Sequence, residues 1–353
     1  MKIVQISYNK GGSSQEFVTR PGVKLNSLPY ISAGMVLADD AEEDMPISDQ
    51  YELLKSIYPE LLSYNKVTVP SSDVYGAVGL FLEQLFLTDA PAVTLAAGTK
   101  NLSWMFGQCY RLQDVPSIDW EDGVIPDGLI LSCMFSLGGD VLGLSTADNY
   151  ANLLLRDLGY TTGLSSITSV LPLIAKAKRC EYMFAMQPRI SVSQITFSYE
   201  GEVFAAAMFA ACPFTEFGEI IIADATTVIV DGLFSDCTEL TTVGRIDFTR
   251  LRGIESMFSG CTALTHIDVT GIVDEDLNMS SCANLDDATL LAICYATVQS
   301  AGTLTFNTAL SAKAENHVKF GDGTLIFCES TDPESRGTLA SFMTLKGWIL
   351  AFE

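Results

Sequence analysis

The 353-residue chain has little positive charge and almost no histidine. It contains 20 lysines and arginines against 43 aspartates and glutamates, for a net charge of −23 at pH 7, and only 2 histidines. Phosphate backbones and anionic lipid surfaces attract basic residues and repel such a chain. The composition therefore argues against binding to nucleic acid or insertion into a membrane, and the acidic residues are more simply a source of solubility.

Long apolar runs are also missing. No run reaches the roughly 18 residues that a membrane-spanning helix requires, and the start, MKIVQISYNKGGSSQ, lacks the pattern of a secretory signal. Yet 48% of the residues are hydrophobic and only 18% are charged, which is the composition of a folded chain with large cores. We therefore expect a folded protein that is made inside a cell.

The familiar catalytic and metal-binding signatures are missing as well. The sequence contains no G-x-S-x-G, no H-E-x-x-H and no G-x-x-x-x-G-K-[ST]. The lack of C-x-x-C disfavours a zinc site, and the lack of D-x-[DN]-x-[DN]-G disfavours a calcium loop. We expect a protein that is not an enzyme and that binds no cofactor or metal.

What the sequence does contain is a repeat between Gly232 and Val269, where one unit is stated twice with a shift of 24 residues. The matching residues are Leu233-Phe234, Cys237, Leu240 and Val243 in the first copy, and Met257-Phe258, Cys261, Leu264 and Ile267 in the second. A fixed shift of this size is typical of a solenoid, in which each unit must stack on its neighbours to bury its apolar face.

Five weaker copies bring the number of candidate turns to seven. They contain Trp104-Met105-Phe106, Met134-Phe135, Met183-Phe184, Ala207-Met208-Phe209 and Asn278-Met279. In two of these copies, Gly138 and Gln187 occupy the position of the cysteine.

Cysteines and leucines recur at fixed positions of the unit, so we predict that they form buried columns along the stack. The columns are Cys109, Cys212, Cys237, Cys261 and Cys282, and Leu112, Leu240, Leu264 and Leu285. Equivalent residues of successive turns lie about 5 Å apart, so disulfides between neighbours are conceivable. The odd total of nine cysteines and the expected intracellular origin favour free thiols that pack as small hydrophobes.

The consensus M-F-x-x-C-x-x-L-x-x-[VI] resembles the BspA-like branch of the leucine-rich repeats, whose copies read M-F-x-x-C-x-x-L-x-x-[LI]-D. The residues that match position by position are Met257, Phe258, Cys261, Leu264, Ile267 and Asp268. The resemblance covers roughly residues 95 to 300, although the family's usual connector is reduced here to Asp247-Phe248-Thr249. It implies a curved stack with short strands on one face, and it supplies no catalytic residues.

We therefore predict an α+β protein with a leucine-rich-repeat-like solenoid in the middle. Its parts are an N-terminal α+β docking or capping region over residues 1–92, the solenoid over 93–285, and a C-terminal helix and strand cap over 286–353. An insertion near residues 140–180 separates Met134 from Met183 by 49 residues, where about 24 would suffice. It either forms helices or hides one eroded repeat.

Local patterns predict the elements outside the repeats. The expected strands are Lys2 to Tyr8 and Glu16 to Arg20, which could pair, and Thr303 to Phe306 and Trp348 to Ala351, of which the last resembles the cap strand of the family. The expected helices begin at Ser48 and Ser72 and cover Asn149 to Gly159, Ile167 to Lys178 and Asp286 to Cys294.

Only one outward face can be indexed from the sequence, along two predicted strands of the repeat. Its candidate binding residues are Thr241, Thr242, Arg245, Asp247, Thr265, His266 and Asp268. Solenoids recognise partners through such extended faces. An inert solvated sheet is the simpler alternative, and His266, which has no matched carboxylate nearby in the sequence, is more simply a spectator than a catalytic residue.

The resemblance implies a structural or recognition protein. We expect a virion component of a tailed phage, made in the host cytoplasm and multimeric in its assembly. Its expected partners are other structural proteins and a protein or glycan of the host surface. The alternative is an adhesin of the bacterial cell surface built from the same repeats, which would require an export signal.

Overall fold

The computed structural model describes residues 92–137, 163–299, 301–321 and 323–353, residues 77–79, 81 and 90, and the backbone of four N-terminal strands. The strands are β1 Val4–Lys10, β2 Ser13–Thr19, β3 Gly34–Val36, β4 Lys66–Val69, β5 Ala92–Leu95, β6 Ile118–Trp120, β7 Leu129–Ile130, β8 Ala177–Arg179, β9 Val192–Phe197, β10 Glu202–Phe204, β11 Glu216–Ile222, β12 Thr227–Ile229, β13 Thr242–Asp247, β14 Leu251–Arg252, β15 His266–Thr270, β16 Leu277–Met279, β17 Gly302–Phe306, β18 His317–Gly321, β19 Thr324–Cys328 and β20 Trp348–Phe352. The α-helices are α1 Leu171–Ala175, α2 Asp287–Ala296 and α3 Leu339–Lys346, and 3-10 helices cover Thr168–Val170, Phe248–Arg250 and Thr308–Glu315.

The predicted solenoid is confirmed as a parallel β-solenoid of about eight turns. Short strands form one sheet in the order β14-β12-β10-β8-β7, and longer strands form a second in the order β15-β13-β11-β9. Every strand pair in both sheets is parallel, as expected when each turn stacks on the one before. The strands therefore lie on two faces of the stack, whereas the resemblance implied one.

The M-F-x-x-C motif forms the corner between the two sheets. At the corner around Phe209, Ala207 and Ala211 have left-handed φ angles of 51° and 56°, which are uncommon for residues with a Cβ. With these φ angles, the N–H groups of Ala207, Phe209 and Ala211 point at carbonyls of the next turn, with N···O distances of 2.8, 3.1 and 2.7 Å. The corner thus continues the backbone ladder between turns without being a strand.

A column of phenylalanine rings runs through the interior. It consists of Phe81, Phe106, Phe135, Phe184, Phe209, Phe234 and Phe258. Neighbouring rings stack with centroids 5.0 to 6.1 Å apart. Leu240 and Leu264 are buried beside this column, at the same position of successive turns.

The corners at Met134 and Met183, 49 residues apart, are direct neighbours in the described part of the stack. Rings of Phe135 and Phe184 stack directly, 5.8 Å apart, and Leu129 pairs with Ala177 in the sheet. This direct contact favours the insertion over an eroded repeat. The helix expected over residues 167–178 is present as the 3-10 helix Thr168–Val170 followed by α1, but it ends before β8 begins. The helix predicted over residues 149–159 lies outside the described residues.

The N-terminal predictions have mixed outcomes. The two expected strands are present as β1 and β2, which pair antiparallel. The helix predicted from Ser48 lies outside the described residues. The helix predicted from Ser72 is wrong where the structure describes it, because residues 77–79 form a turn in which Gly79 has a φ of 62°. The N–H of Phe81 donates to Met105 O at 2.7 Å, so a turn of the stack begins ahead of the predicted boundary at residue 92.

The C-terminal predictions are confirmed at the level of single elements. The helix expected at Asp286 is α2, and the two expected strands are β17 and β20. With β16 they form a parallel sheet in the order β16-β17-β20. Helix α3 and the antiparallel hairpin of β18 and β19 had no counterpart among the sequence-based predictions.

Candidate functional site

The structure brings the candidate binding residues together on the outward side of β13 and β15. Thr242 lies opposite His266, and Arg245 lies opposite Asp268. Arg245 and Asp268 are exposed. The strand register therefore makes one continuous surface from residues that are about 24 positions apart in the sequence.

Three of the candidate residues hold the stack together. The hydroxyl of Thr241 donates to Thr215 O at 2.8 Å, and the hydroxyl of Thr265 donates to Thr241 O at 2.8 Å. The carboxylate of Asp247 accepts the N–H of Thr249 at 3.0 Å and caps a 3-10 helix. These polar groups are already engaged, which leaves Thr242, Arg245 and Asp268 as the more available part of the set.

His266 has a carboxylate partner that sequence reasoning missed. Its Nδ1 lies 2.8 Å from Oδ2 of Asp286, the residue that caps the N-terminus of α2. Partial burial alone would raise the pKa of Asp286, but hydrogen bonds from the Thr289 N–H and from His266 hold this pKa below its ordinary value. The pairing connects the last strand of the second sheet to the helix that follows it.

Asp286, His266 and Thr289 do not form a catalytic triad. In a triad, the carboxylate and the nucleophile face opposite nitrogens of the imidazole. Here Oδ2 of Asp286 and Oγ1 of Thr289 both face Nδ1 of His266, at 2.8 and 3.4 Å. Thr289 is also fully buried, and its hydroxyl accepts the N–H of Ile267 at 2.9 Å. The cluster therefore joins α2 to the edge of β15.

A groove of about 530 Å³ opens between β15, α2 and β19. Its residues include His266, Asp268 and Asp287, but no lysine or arginine. Apolar side chains complete it, among them Ile326, which is 37% exposed. Asp287 pairs with the ammonium group of Lys313, so Asp268 is the carboxylate that the rim offers, and the groove continues the outward surface of the second sheet.

The cysteine column carries a hydrogen-bonding pattern that the sequence did not reveal. Each thiol of the column points at the carbonyl of a phenylalanine one turn earlier. The Sγ···O distances are 3.1 Å for Cys109, Cys212 and Cys237, 3.0 Å for Cys261 and 3.9 Å for Cys282. None of the nine cysteines, all of which lie in the described residues, forms a disulfide. The thiols of the column therefore donate hydrogen bonds to backbone carbonyls as well as filling space.

Gln187, at the cysteine position of its turn, makes the same contact. Its Nε2 donates to Phe135 O at 2.6 Å, and its Oε1 accepts the N–H of Leu164 at 2.9 Å. The signal in the sequence was that both residue types can donate a hydrogen bond. Burial raises the pKa of Cys237 and of Cys282 to about 12, so these thiols stay protonated and are poor nucleophiles.

The described part of the chain was also searched for clusters of metal-binding side chains and for membrane-spanning helices. Within it, no three histidine, cysteine, aspartate or glutamate side chains come close enough together to hold a metal ion. None of its helices is long and apolar enough to cross a membrane. Comparisons with protein families, with curated proteins and with solved structures found no significant match to the chain.

Proposed function

We propose that the protein is a non-catalytic recognition or structural component of a larger assembly, most simply the virion of a tailed phage. The observation that carries the proposal is the acid-rimmed groove between β15, α2 and β19, which continues the exposed row of Arg245 and Asp268. The solenoid supports it, because stacked turns present extended surfaces suited to binding another macromolecule.

The resemblance to BspA-like leucine-rich repeats is the second support. It rests on the M-F-x-x-C corner and on the leucine and cysteine positions that follow it. The family supplies both virion proteins and adhesins of bacterial surfaces, so the adhesin is the alternative for this chain.

The chemistry of the groove indicates a protein partner with basic side chains. Asp268 is exposed, and the apolar walls include Ile326. Lysine and arginine carry a charged head on a long apolar stem, and such side chains place the stem on apolar surface and the head beside carboxylates. A glycan could use the carboxylate of Asp268 as a hydrogen-bond acceptor, but it would leave the apolar walls less well covered.

The experiment measures whether the protein is present in purified phage particles and whether the groove is needed for its incorporation. Mass spectrometry of purified particles should detect the protein, and Asp268→Lys should reduce its incorporation. Glu202→Lys is the matched control, because it makes the same charge change at an exposed strand residue of the other sheet. Both variants should stay folded, with a thermal unfolding midpoint within about 4 °C of that of the unmodified protein.

Three results would contradict the proposal. Absence of the chain from particles, with recovery on bacterial surfaces, would favour the adhesin. Equal incorporation of both variants would show that the groove is not the contact. Turnover of a glycan by the purified protein would overturn the non-catalytic assignment.

A further inference from the structure

The outer edge of β20 is open. This strand is the last in the order β16-β17-β20, and no strand in the described part of the chain pairs with its other side. Its sequence, WILAF, contains no charge and no proline, and it follows β17 over five residues without a bulge. Natural edge strands are usually protected by charges, prolines, bulges or a covering element, because an open edge pairs readily with another strand.

The backbone groups that face this edge follow from the pairing with β17. The N–H of Glu353 donates to Phe306 O at 3.0 Å, and Glu353 O accepts the N–H of Thr308 at 2.9 Å. Alternate residues of a parallel strand point their backbone groups in the same direction. Ile349 and Ala351 therefore also bond towards β17, while the N–H and C=O groups of Leu350 and Phe352 point outward.

The side chains at this edge extend two rows of core residues to the surface. Leu350 ends the row that begins with Leu277 and Leu304, and Phe352 ends the corresponding row of Met279 and Phe306. The first two members of each row are buried, whereas Leu350 and Phe352 are partly exposed. Ile349, on the other side of the strand, is 65% exposed. A solenoid end of this kind normally needs a polar cap.

We infer that β20 pairs antiparallel with β20 of a second copy of this chain, about a two-fold axis at Leu350. In this register Leu350 faces Leu350 of the other copy, Trp348 faces Phe352, and Ile349 faces Ala351. The outward backbone groups of Leu350 meet the same groups of the other copy, which is the arrangement of a hydrogen-bonded antiparallel pair. No charge meets a like charge within the strand.

The occupant is a second copy because the edge complements itself. A two-fold contact uses the same surface on both partners and closes at the dimer, with no edge left for a third chain. Each chain carries a net charge of −23, so long-range repulsion opposes the pairing. The dimer should therefore become tighter as added salt screens this repulsion.

The test begins with the mass of the full chain in solution, measured by sedimentation equilibrium over a dilution series at low and high salt. We expect a mass that approaches twice the 38.2 kDa of one chain, at lower concentration in high salt. Ile349→Lys should weaken the dimer by about tenfold or more, because it places a charge within the apolar edge. This change makes the chain less negative, so added repulsion cannot explain the loss.

Val124→Lys is the matched control, because Val124 is 59% exposed and lies in the loop after β6, among the early turns of the stack. It should remain dimeric. Hydrogen exchange on the unmodified chain tests the register without any substitution: the amides of Leu350 and Phe352 should exchange slowly in the dimer and quickly after dilution. Those of Ile349 and Ala351 should stay slow in both states.

Three outcomes would overturn the inference. One is a monomer at every concentration and salt. Another is a series of open-ended oligomers, which would indicate head-to-tail contact between different ends of the stack. The third is fast exchange at Leu350 and Phe352 in a dimer that Ile349→Lys leaves intact, which would place the interface elsewhere.

Discussion

The interior and the outer surface of the same turns follow different rules. Inside, Phe209, Phe234 and Phe258 occupy one position and stack on one another. Outside, Arg245 of one turn lies opposite Asp268 of the next. An inward residue packs against its own copy, so one side chain that fits is repeated along the stack. An outward residue meets solvent, so it can vary from turn to turn and acquire function.

The largest expected effect comes from breaking the phenylalanine column. Phe234→Ala should destabilise the protein by about 3–5 kcal/mol, because it opens a cavity between two stacked rings. Chemical denaturation measures this change. Arg245→Ala, on the outer surface, is the control and should stay within about 0.5 kcal/mol. Equal effects of the two substitutions would abolish the distinction between interior and surface.

A second test concerns the polar contact inside the column. Gln187→Leu should cost about 2–4 kcal/mol, because it leaves Phe135 O and the N–H of Leu164 without their partner in the interior. Gln194→Leu on exposed β9 is the matched control and should be nearly neutral. If denaturation shows Gln187→Leu to be neutral as well, the cysteine position needs only an apolar filler and no donor.

The buried thiols predict a loss of stability in alkali. A raised pKa means that the folded state holds the thiol proton more tightly than the unfolded state does. The stabilisation is therefore complete below the ordinary thiol pKa of 9.0 and is lost as pH rises towards about 12 for Cys237 and Cys282. Each such thiol contributes a fall of about 1.4 kcal/mol per pH unit.

Denaturation midpoints at pH 8, 9 and 10 would measure this fall, with the pH values chosen around the ordinary thiol pKa. Cys237→Ala should reduce the slope above pH 9.0 by the share of one thiol, in addition to a constant loss from its missing hydrogen bond. An unchanged slope would show that Cys237 titrates alike in the folded and unfolded states.

The interior was predictable because its contacts repeat. The shift of 24 residues indicated the solenoid and the M-F-x-x-C unit. The turn at Phe81 was missed because Gly79 and its apolar neighbours also fit a helical spacing. The left-handed φ of Gly79, the hydrogen bond from the Phe81 N–H to Met105 O and the ring contact of Phe81 with Phe106 assign it to the stack.

The candidate site was predictable only in part. Arg245 and Asp268 could be placed on one surface, because both belong to repeated strands. The partner of His266 could not be predicted, since Asp286 caps a helix that lies outside the repeat. The groove also needs β19, from a hairpin that no repeat specifies. Contacts made once in a molecule leave no periodic trace in its sequence.

The smallest expected effect is a charge swap on the outer surface. Arg245→Glu should cost about 0.2–1 kcal/mol, because it places two acids opposite each other on β13 and β15. Adding Asp268→Arg should recover that loss, since opposite charges then face each other again with reversed polarity. Denaturation of the two single variants and the double variant gives the coupling energy directly. Losses that simply add would mean that the two side chains do not interact across the strands, and each outer position would then be independent of its neighbour.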